Sequence, residues 1–377
     1  MIENKLKELL TITIIVKLLF FLIIILAFFV LPFNIGNYRT NFVYPPDEQV
    51  NIFSVFKTWD GQHYLFLAEK GYPSEITLST AFYPLYPFII RFVGFIFLGN
   101  TLVAGLFISN LCSILAIVLF YLLVKKLYSD KIAFTASLFM ISFITFFYTS
   151  LVYSEGLFIF LVIAFFYYFY EKKFYPCLLT TILIPLVRPS GILVILPLFV
   201  YLILDIRDVK KVKETKNYFL LLGFITGFLL YLCIMKYFAG SFFSGFVAQD
   251  LYIANNSIGN LFHPISWFQR NFLNIHYTFN GYTTSILNRI FFGFYLILLF
   301  FVYKYLDKTL FIYSLALGLI PALTGDFMSY IRYIFVVFPI FIVLSLKFQK
   351  NPYVIIIPSF MFQVLLLMAH ALNYWVA

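Results

Sequence analysis

The segment around residue 60 carries the side chains best suited to chemistry. It reads Thr58-Trp59-Asp60-Gly61-Gln62-His63-Tyr64 and lies between long apolar stretches. A carboxylate held beside apolar rings at a membrane face loses hydration, which makes it a better acceptor for the proton of an acceptor hydroxyl. Asp60 is therefore the candidate general base. The alternative is that Asp60 only caps an interfacial helix over residues 61–70.

His63 follows Asp60 by one helical turn, where its imidazole could hydrogen-bond the carboxylate or share a metal ion with it. We prefer the hydrogen bond, because the other three histidines offer no nearby paired spacing, and we expect no metal. Glu69 and Lys70, farther along the same segment, have the simpler interpretation of a solvated helix end.

Four more charged residues lie at the ends of apolar stretches, where an unpaired charge is costly and tends to be functional or paired. Glu155 and Asp326 could act in chemistry or cap the helices that follow them. Arg188 and Arg332 indicate an anionic partner, and the Arg332 guanidinium could hold a lipid phosphate through two parallel hydrogen bonds. The alternatives for Arg332 are an ion pair with Asp326 or a position at the membrane interface.

The composition indicates that lipid is the main solvent of these residues. Hydrophobic residues make up 63% of the 377 positions and charged residues 11%, whereas soluble domains carry about a quarter charged residues. Because a helix needs roughly 20 apolar residues to cross a bilayer, we predict an all-α polytopic membrane protein, with residues 1–377 as a single domain. The eleven predicted spans cover 11–33, 101–124, 131–150, 154–170, 174–187, 190–204, 217–238, 286–304, 309–324, 328–346 and 352–372.

The basic residues predict the orientation of the chain. If the N-terminus is cytoplasmic, most of the 26 Lys and Arg residues fall on the cytoplasmic side, as the positive-inside rule requires. These are Lys5, Lys7, Lys125, Lys126, Lys131, Lys172, Lys173, Arg207, Lys210, Lys211, Lys213, Lys216, Lys304, Lys308, Lys347 and Lys350. The net charge of +10 is then explained without a nucleic-acid partner, and the C-terminus lies outside.

Two long loops, 34–100 and 239–285, then lie on the outer face, and we expect function there because long loops in a compact chain are usually functional. Within the first, residues 82–98 predict a helix in the membrane interface. Residues 174–204 are too short for two independent spans, so we predict a shielded hairpin with its apex at Arg188-Pro189-Ser190-Gly191. No Walker loop, paired-histidine zinc helix or dinucleotide fingerprint is present, which argues against a nucleotide-linked donor, and we expect no cofactor.

An ordered set of short motifs resembles one family. The set is Trp59-Asp60-Gly61 with Tyr64, Gly71-Tyr72, Phe82-Tyr83-Pro84-Leu85-Tyr86-Pro87, Tyr153-Ser154-Glu155, and Arg332-Tyr333 with Phe338-Pro339. With these motifs the chain resembles the PIG-V type of mannosyltransferase, relatives of the enzyme that adds the second mannose to glycosylphosphatidylinositol precursors.

The resemblance implies a GT-C fold, a polyprenyl- or dolichyl-phosphate-mannose donor, and an outer-loop acid as base, a position that Asp60 matches. It also implies inversion at the anomeric carbon to an α-mannoside, α-1,6 if the acceptor is a glycosylphosphatidylinositol precursor. A glycolipid or protein could replace that acceptor. The residues expected to bind substrate are Trp59, His63, Tyr64, Tyr83, Tyr86, Glu155, Arg188 and Arg332.

The resemblance places the enzyme among membrane lipids with its active site on the outer or lumenal face, in the plasma membrane of a prokaryote or the endoplasmic reticulum of a eukaryote. The competing hypothesis is a multi-pass lipid or solute transporter, which the many spans and the Pro/Gly-broken hairpin also fit. Because the acidic residues lie at span ends and no second hairpin is evident, the sequence favours the enzyme.

Overall fold

A computed structural model describes residues 2–46, 49–207, 217–252 and 257–376. Within these ranges the chain is helical and forms no strand, with one isolated β-bridge between Thr278 and Ser285. The α-helices are α1 (Ile2–Val30), α2 (Ile35–Thr40), α3 (Asp60–Lys70), α4 (Leu85–Gly94), α5 (Thr101–Leu127), α6 (Asp130–Ile141), α7 (Glu155–Tyr170), α8 (Phe174–Leu183), α9 (Ile195–Arg207), α10 (Tyr218–Ala239), α11 (Ser244–Gln249), α12 (Pro264–Phe268), α13 (Ile286–Tyr305), α14 (Lys308–Thr324), α15 (Tyr330–Phe335), α16 (Pro339–Lys347) and α17 (Tyr353–Ala371).

The prediction of an all-α membrane fold is confirmed. Among the described residues, five helices are long and apolar enough to cross a membrane: α1, α5, α10, α13 and α17. The other predicted spans correspond to shorter or broken helical segments, so the count of eleven is not confirmed. Lys210, Lys211, Lys213 and Lys216, which support the predicted orientation, lie outside the described residues, as do Asp47 and Glu48 of the first long loop.

Two predicted spans are interrupted inside the protein. The span predicted over 131–150 ends its α-helix at Ile141 and continues as a 3₁₀ turn over Phe146–Ser150. The span predicted over 328–346 divides into α15 and α16, and Pro339 at the start of α16 removes one backbone donor from the interrupted helix. These breaks expose backbone polar groups that must be satisfied inside the protein.

Lys17 of α1 donates hydrogen bonds to polar groups at the first of these breaks. Its buried ammonium group donates to Thr149 O at 3.2 Å, to Thr149 Oγ1 at 3.2 Å and to Ser150 Oγ at 3.1 Å. All three donors of the ammonium group are therefore directed at the 3₁₀ turn. A lysine inside an apolar span thus holds non-helical backbone in place.

The predicted hairpin over 174–204 is present as α8, a 3₁₀ turn over Ile184–Leu186, a second 3₁₀ turn over Pro189–Val194, and α9. Its two arms touch near the apex: a Cβ atom on Gly191 would lie 2.4 Å from Ile184 O. Only glycine permits this approach of the two backbones. The contact fixes the direction in which Arg188, at the turn, extends.

Helices α5 and α7 form the most extensive helix pair of the described chain. A Cβ atom on Gly156 would lie 2.6 Å from Ser109 O, and one on Gly105 would lie 2.9 Å from Val152 Cγ1. Small residues let helix backbones approach closely where dispersion, rather than water, drives association. This contact sets the position of the N-terminus of α7, where Glu155 lies.

Candidate functional site

Four charged side chains from distant parts of the chain form one group, here called the ion cluster: Asp60, Glu155, Arg188 and Arg332. Arg332 Nη2 lies 2.8 Å from Asp60 Oδ2 and 2.6 Å from Glu155 Oε1, and Arg332 Nε lies 2.8 Å from Glu155 Oε1. Arg188 Nη1 lies 3.2 Å from the same Glu155 oxygen. The structure thus gathers four of the charged candidates that the sequence proposes for catalysis and anion binding, and leaves out Asp326.

The members of the ion cluster differ in exposure. The Glu155 side chain is 1% exposed and the Arg332 side chain 6%, whereas the Asp60 side chain is 29% exposed. Glu155 therefore acts as the buried counter-ion of two arginines, and an ion pair of this depth requires good geometry to offset the loss of hydration. Asp60 is the acidic member that a substrate can reach.

Two expectations for Asp60 need correction. The sequence predicts an environment of apolar rings, but the carboxylate contacts the Arg332 guanidinium, which compensates its charge. The sequence also allows a purely capping role. In the structure the N-cap of α3 is Trp59, which makes no side-chain capping bond, and Asp60 is the first helical residue. Its carboxylate is directed to a residue 272 positions away.

The backbone before Asp60 has an uncommon conformation. Trp59 has φ 56°, which lies in the left-handed region that residues with a Cβ atom rarely occupy. Such conformations cost on the order of 1–3 kcal/mol and persist where the surroundings over-determine them. Trp59 is held by ring contacts with Trp375 and Tyr282, at 5.2 and 6.1 Å between centroids.

Arg332 is flanked by the rings of Tyr148 and Tyr153, of which only Tyr153 belongs to a motif found in the sequence. Its guanidinium carbon lies 4.6 Å from the centroid of Tyr148 and 4.9 Å from that of Tyr153, and stacking on aromatic faces orients a guanidinium while stabilising it. The alternative partner, Asp326, instead binds Arg270, with Arg270 Nε 2.7 Å from Asp326 Oδ1. Because aromatic residues make up 22% of the chain, nothing in the sequence distinguishes Tyr148 from the other tyrosines.

His63 does not make the predicted hydrogen bond to Asp60 within the described part of the chain. Its Nδ1 atom lies 2.7 Å from Ser79 Oγ, and its ring stacks between Phe42 and Phe82 at 4.4 and 4.7 Å. Burial between these rings lowers the pKa of His63 to about 4, because desolvation disfavours the charged imidazolium. His63 is therefore a neutral packing residue of the segment that carries Asp60.

The tyrosines expected to bind substrate lie at different distances from the ion cluster. Tyr64 is near it, since its hydroxyl donates to Ser154 Oγ at 2.7 Å, next to Glu155. Tyr86 is fully buried behind Tyr64, and its hydroxyl lies 2.6 Å from Ser109 Oγ. The Tyr83 ring stacks on the Tyr231 ring at 4.1 Å between centroids.

Glu69 lies exposed in the last turn of α3, as the solvated helix end that the sequence suggests. It accepts hydrogen bonds from Tyr44 Oη at 2.6 Å and Thr101 Oγ1 at 2.5 Å. It also lines a cavity of about 200 Å³ together with Lys57 and Leu65. Asp60 does not line this cavity, so the cavity and the ion cluster are separate features.

The described residues contain no group of three or more His, Cys, Asp or Glu side chains arranged to hold a metal ion. The two carboxylates of the ion cluster share Arg332. The site consists of carboxylates, guanidinium groups and aromatic rings.

Comparison with known proteins supports the fold. A family model described as dolichyl-phosphate-mannose-protein mannosyltransferase matches residues 83–234, less than half of the chain. No curated protein sequence matches. The chain is similar to the crystal structure of the Archaeoglobus fulgidus oligosaccharyltransferase in complex with Zn and sulfate, with a TM-score of 0.50 and 15% identity, covering 96% of this chain and 53% of that one.

The apo form of the same oligosaccharyltransferase gives a TM-score of 0.50 and 12% identity, covering 97% of this chain and 56% of that one. The chain therefore spans about half the length of these solved structures. At these identities the likeness shows the fold alone. The GT-C type of fold expected from the sequence is confirmed.

Proposed function

We propose that this protein is a membrane glycosyltransferase that transfers mannose from a polyprenyl- or dolichyl-phosphate-mannose donor to a glycolipid or similar acceptor. The ion cluster is the observation that carries the proposal. It combines a partly exposed carboxylate with two arginines in a site that the fold assembles from α3, α7, the hairpin and α15.

Asp60 is the proposed base. It takes the proton from the acceptor hydroxyl, whose oxygen then attacks the anomeric carbon while the bond from that carbon to the phosphate oxygen breaks. The electron pair leaves with the lipid phosphate. Attack from the face opposite the leaving group inverts the configuration, so a β-linked donor gives an α-mannoside, by the geometry that governs inverting glycosidases.

Arg188 and Arg332 are the proposed anchors of the donor phosphate, because guanidinium groups match phosphate oxygens in charge and shape. A phosphate that binds Arg332 competes with Asp60 for the same Nη2 atom. Donor binding would therefore free the Asp60 carboxylate for the acceptor. Glu155 keeps both guanidinium groups in position through its Oε1 atom.

The family model supports mannose as the sugar, since it describes mannosyltransferases and its match includes Glu155 and Arg188. The fold supports a lipid-linked donor, which would reach the ion cluster from the bilayer. The motif resemblance supports a PIG-V-like acceptor with an α-1,6 linkage. We expect the site to open on the outer or lumenal face.

The test is Asp60→Asn, which keeps the size of the side chain and a hydrogen-bond acceptor for Arg332 but removes the base. We expect a loss of at least about 10²-fold in transfer of radiolabelled mannose from the lipid-phosphate donor, the usual contribution of a general base. Abundance in the membrane should stay unchanged.

Asp326→Asn is the matched control, because it removes the carboxylate of a different ion pair, with Arg270, and should retain transfer. Near-normal turnover of Asp60→Asn would refute the proposed role. If membranes with Asp60→Asn instead lose transport of a lipid or solute, the result would favour a transporter.

A further inference from the structure

Four buried polar atoms lie on the two segments that meet beside the ion cluster. They are Trp59 Nε1, His370 Nδ1, Asn373 Nδ2 and Trp375 Nε1, and none of them has a hydrogen-bond partner among the described residues. A buried donor left unsatisfied costs on the order of 1–3 kcal/mol. Such atoms are few in native structures, so several in one place require an explanation.

The two segments are in direct contact. The Trp59 and Trp375 rings lie 5.2 Å apart, and His370 Nε2 lies 3.2 Å from Oγ1 of Thr58, the residue before Trp59. Asn373 lies between His370 and Trp375 in the chain and is 1% exposed. The unpaired atoms therefore belong to one region at the start of α3.

Three aromatic rings form a cluster in this region, here called the aromatic platform: Trp59, Tyr282 and Trp375. Tyr282 lies 4.4 Å from Trp375 and 6.1 Å from Trp59 between ring centroids. Tyr282 is 39% exposed, whereas Trp59 is 8% exposed. The platform thus has one open edge and a buried side that carries the unpaired indole N–H groups.

We propose that the aromatic platform is a sugar-binding subsite that holds a pyranoside ring of the acceptor. This inference rests on the proposed function. A pyranoside has apolar C–H faces that pack on aromatic rings and hydroxyl groups that accept from N–H donors, which matches rings that carry both an apolar body and a polar edge.

The acceptor, rather than the donor, is assigned to this subsite by its position. Trp59 immediately precedes Asp60 in the chain, so a sugar on the platform would bind at the segment that carries the proposed base. The donor phosphate is assigned to Arg188 and Arg332. The acceptor then approaches Asp60 from the side of Trp59, and the donor approaches it from the side of the two arginines.

The third tryptophan shows how an indole with a packing role behaves in this protein. Trp267 is buried like Trp59, but its Nε1 atom donates to Ala322 O at 3.0 Å and to Gly325 O at 3.1 Å. The fold therefore satisfies an indole donor where only packing is needed. The unsatisfied indoles of Trp59 and Trp375 indicate groups that a ligand completes.

Tryptophan fluorescence provides a binding test that does not depend on transfer, since two of the three tryptophans lie in the platform. The full-length protein is placed in lipid nanodiscs, free of sugar-based detergent, and titrated with methyl α-mannopyranoside, with glycerol as the control polyol. We expect a saturable change in emission with the glycoside and none with glycerol. Trp375→Phe keeps a ring but removes one N–H, and should weaken the apparent affinity at least about tenfold.

Tyr374→Phe is the matched control, because Tyr374 is the exposed neighbour of Trp375 and should bind like the wild type. In transfer assays Trp375→Phe should raise KM for the glycoside acceptor and leave KM for the lipid donor unchanged. The subsite is overturned if the wild-type protein shows no response to the glycoside. It is also overturned if the wild type transfers mannose but Trp375→Phe and Tyr374→Phe bind the glycoside equally well. A glycoside response without any transfer overturns the proposed function and leaves the subsite standing.

Discussion

At the scale of single residues, the organising feature is that Glu155 contacts two arginines through one oxygen. Its Oε1 atom contacts Arg188 and Arg332, whereas its Oε2 atom is buried without a partner among the described residues. Arg332 in turn contacts the Asp60 carboxylate. The partly exposed Asp60 carboxylate is therefore positioned, through Arg332, by the buried Glu155 carboxylate.

Glu155→Gln should destabilise the protein. It leaves two buried guanidinium groups without their shared counter-ion, and removal of one partner from a buried ion pair costs about 3–5 kcal/mol. We expect a lower thermal unfolding temperature of the purified protein in detergent and a lower yield of folded protein by size-exclusion chromatography.

Glu171→Gln is the corresponding control at an exposed pair. Glu171 binds Lys126 at the protein surface, where such pairs contribute about 0–1 kcal/mol, so the unfolding temperature should hardly change. Equal unfolding temperatures for wild type and Glu155→Gln would contradict the assigned role.

At the scale of secondary-structure elements, the site depends on where helices begin and where they are broken. Asp60 and Glu155 are the first residues of α3 and α7, and Arg332 lies in the short α15 beside a break. The 3₁₀ turn over Phe146–Ser150 supplies Tyr148, which lies against Arg332. Interrupted helices thus bring charged residues into the protein interior.

Gly156→Ala should separate α5 from α7. The added methyl group would lie 2.6 Å from Ser109 O, which is backbone and cannot move aside easily, and overpacking of this kind costs about 1–3 kcal/mol. Because Glu155 is the adjacent residue, transfer activity should fall together with the thermal unfolding temperature.

Gly293→Ala provides the comparison within a helix. Nothing lies within 4 Å of its added methyl group, so the helix propensity of alanine should leave stability equal or higher by up to about 1 kcal/mol. The interpretation of the α5–α7 contact fails if the two substitutions lower the unfolding temperature equally.

At the scale of the whole molecule, the distribution of basic residues predicts which face carries the ion cluster. The loop over residues 34–100, which includes α3, is predicted to lie opposite the cytoplasmic basic clusters. A lipid-phosphate donor and the acceptor would then meet on the non-cytoplasmic side. The orientation is testable separately from catalysis.

Cysteine labelling in intact cells tests this orientation. In a cysteine-free background, Ser74→Cys, exposed in the first long loop, should react with a membrane-impermeant maleimide. Gln349→Cys, exposed next to α16, should react only after the membrane is permeabilised. The reverse labelling pattern would place Asp60 on the cytoplasmic face and remove the basis for an outer-face reaction.

The sequence alone determined the class of the protein and the approximate limits of its helices, because the apolar stretches that lipid demands are long and local signals. It also singled out Asp60, Glu155, Arg188 and Arg332, since a charge beside an apolar span is conspicuous. The hairpin apex at Arg188 could be predicted from Pro189 and Gly191, whose backbone requirements are local as well.

Only the tertiary structure decided which of these residues are partners. Arg332 binds Glu155 and Asp60 rather than Asp326, and His63 binds Ser79 rather than Asp60. These pairings join segments up to 272 residues apart, and no spacing rule extends over such a distance. The aromatic platform could not be predicted from the sequence for the same reason. The contact between Trp59 and Trp375 exists only once the segment after α17 has packed against the start of α3.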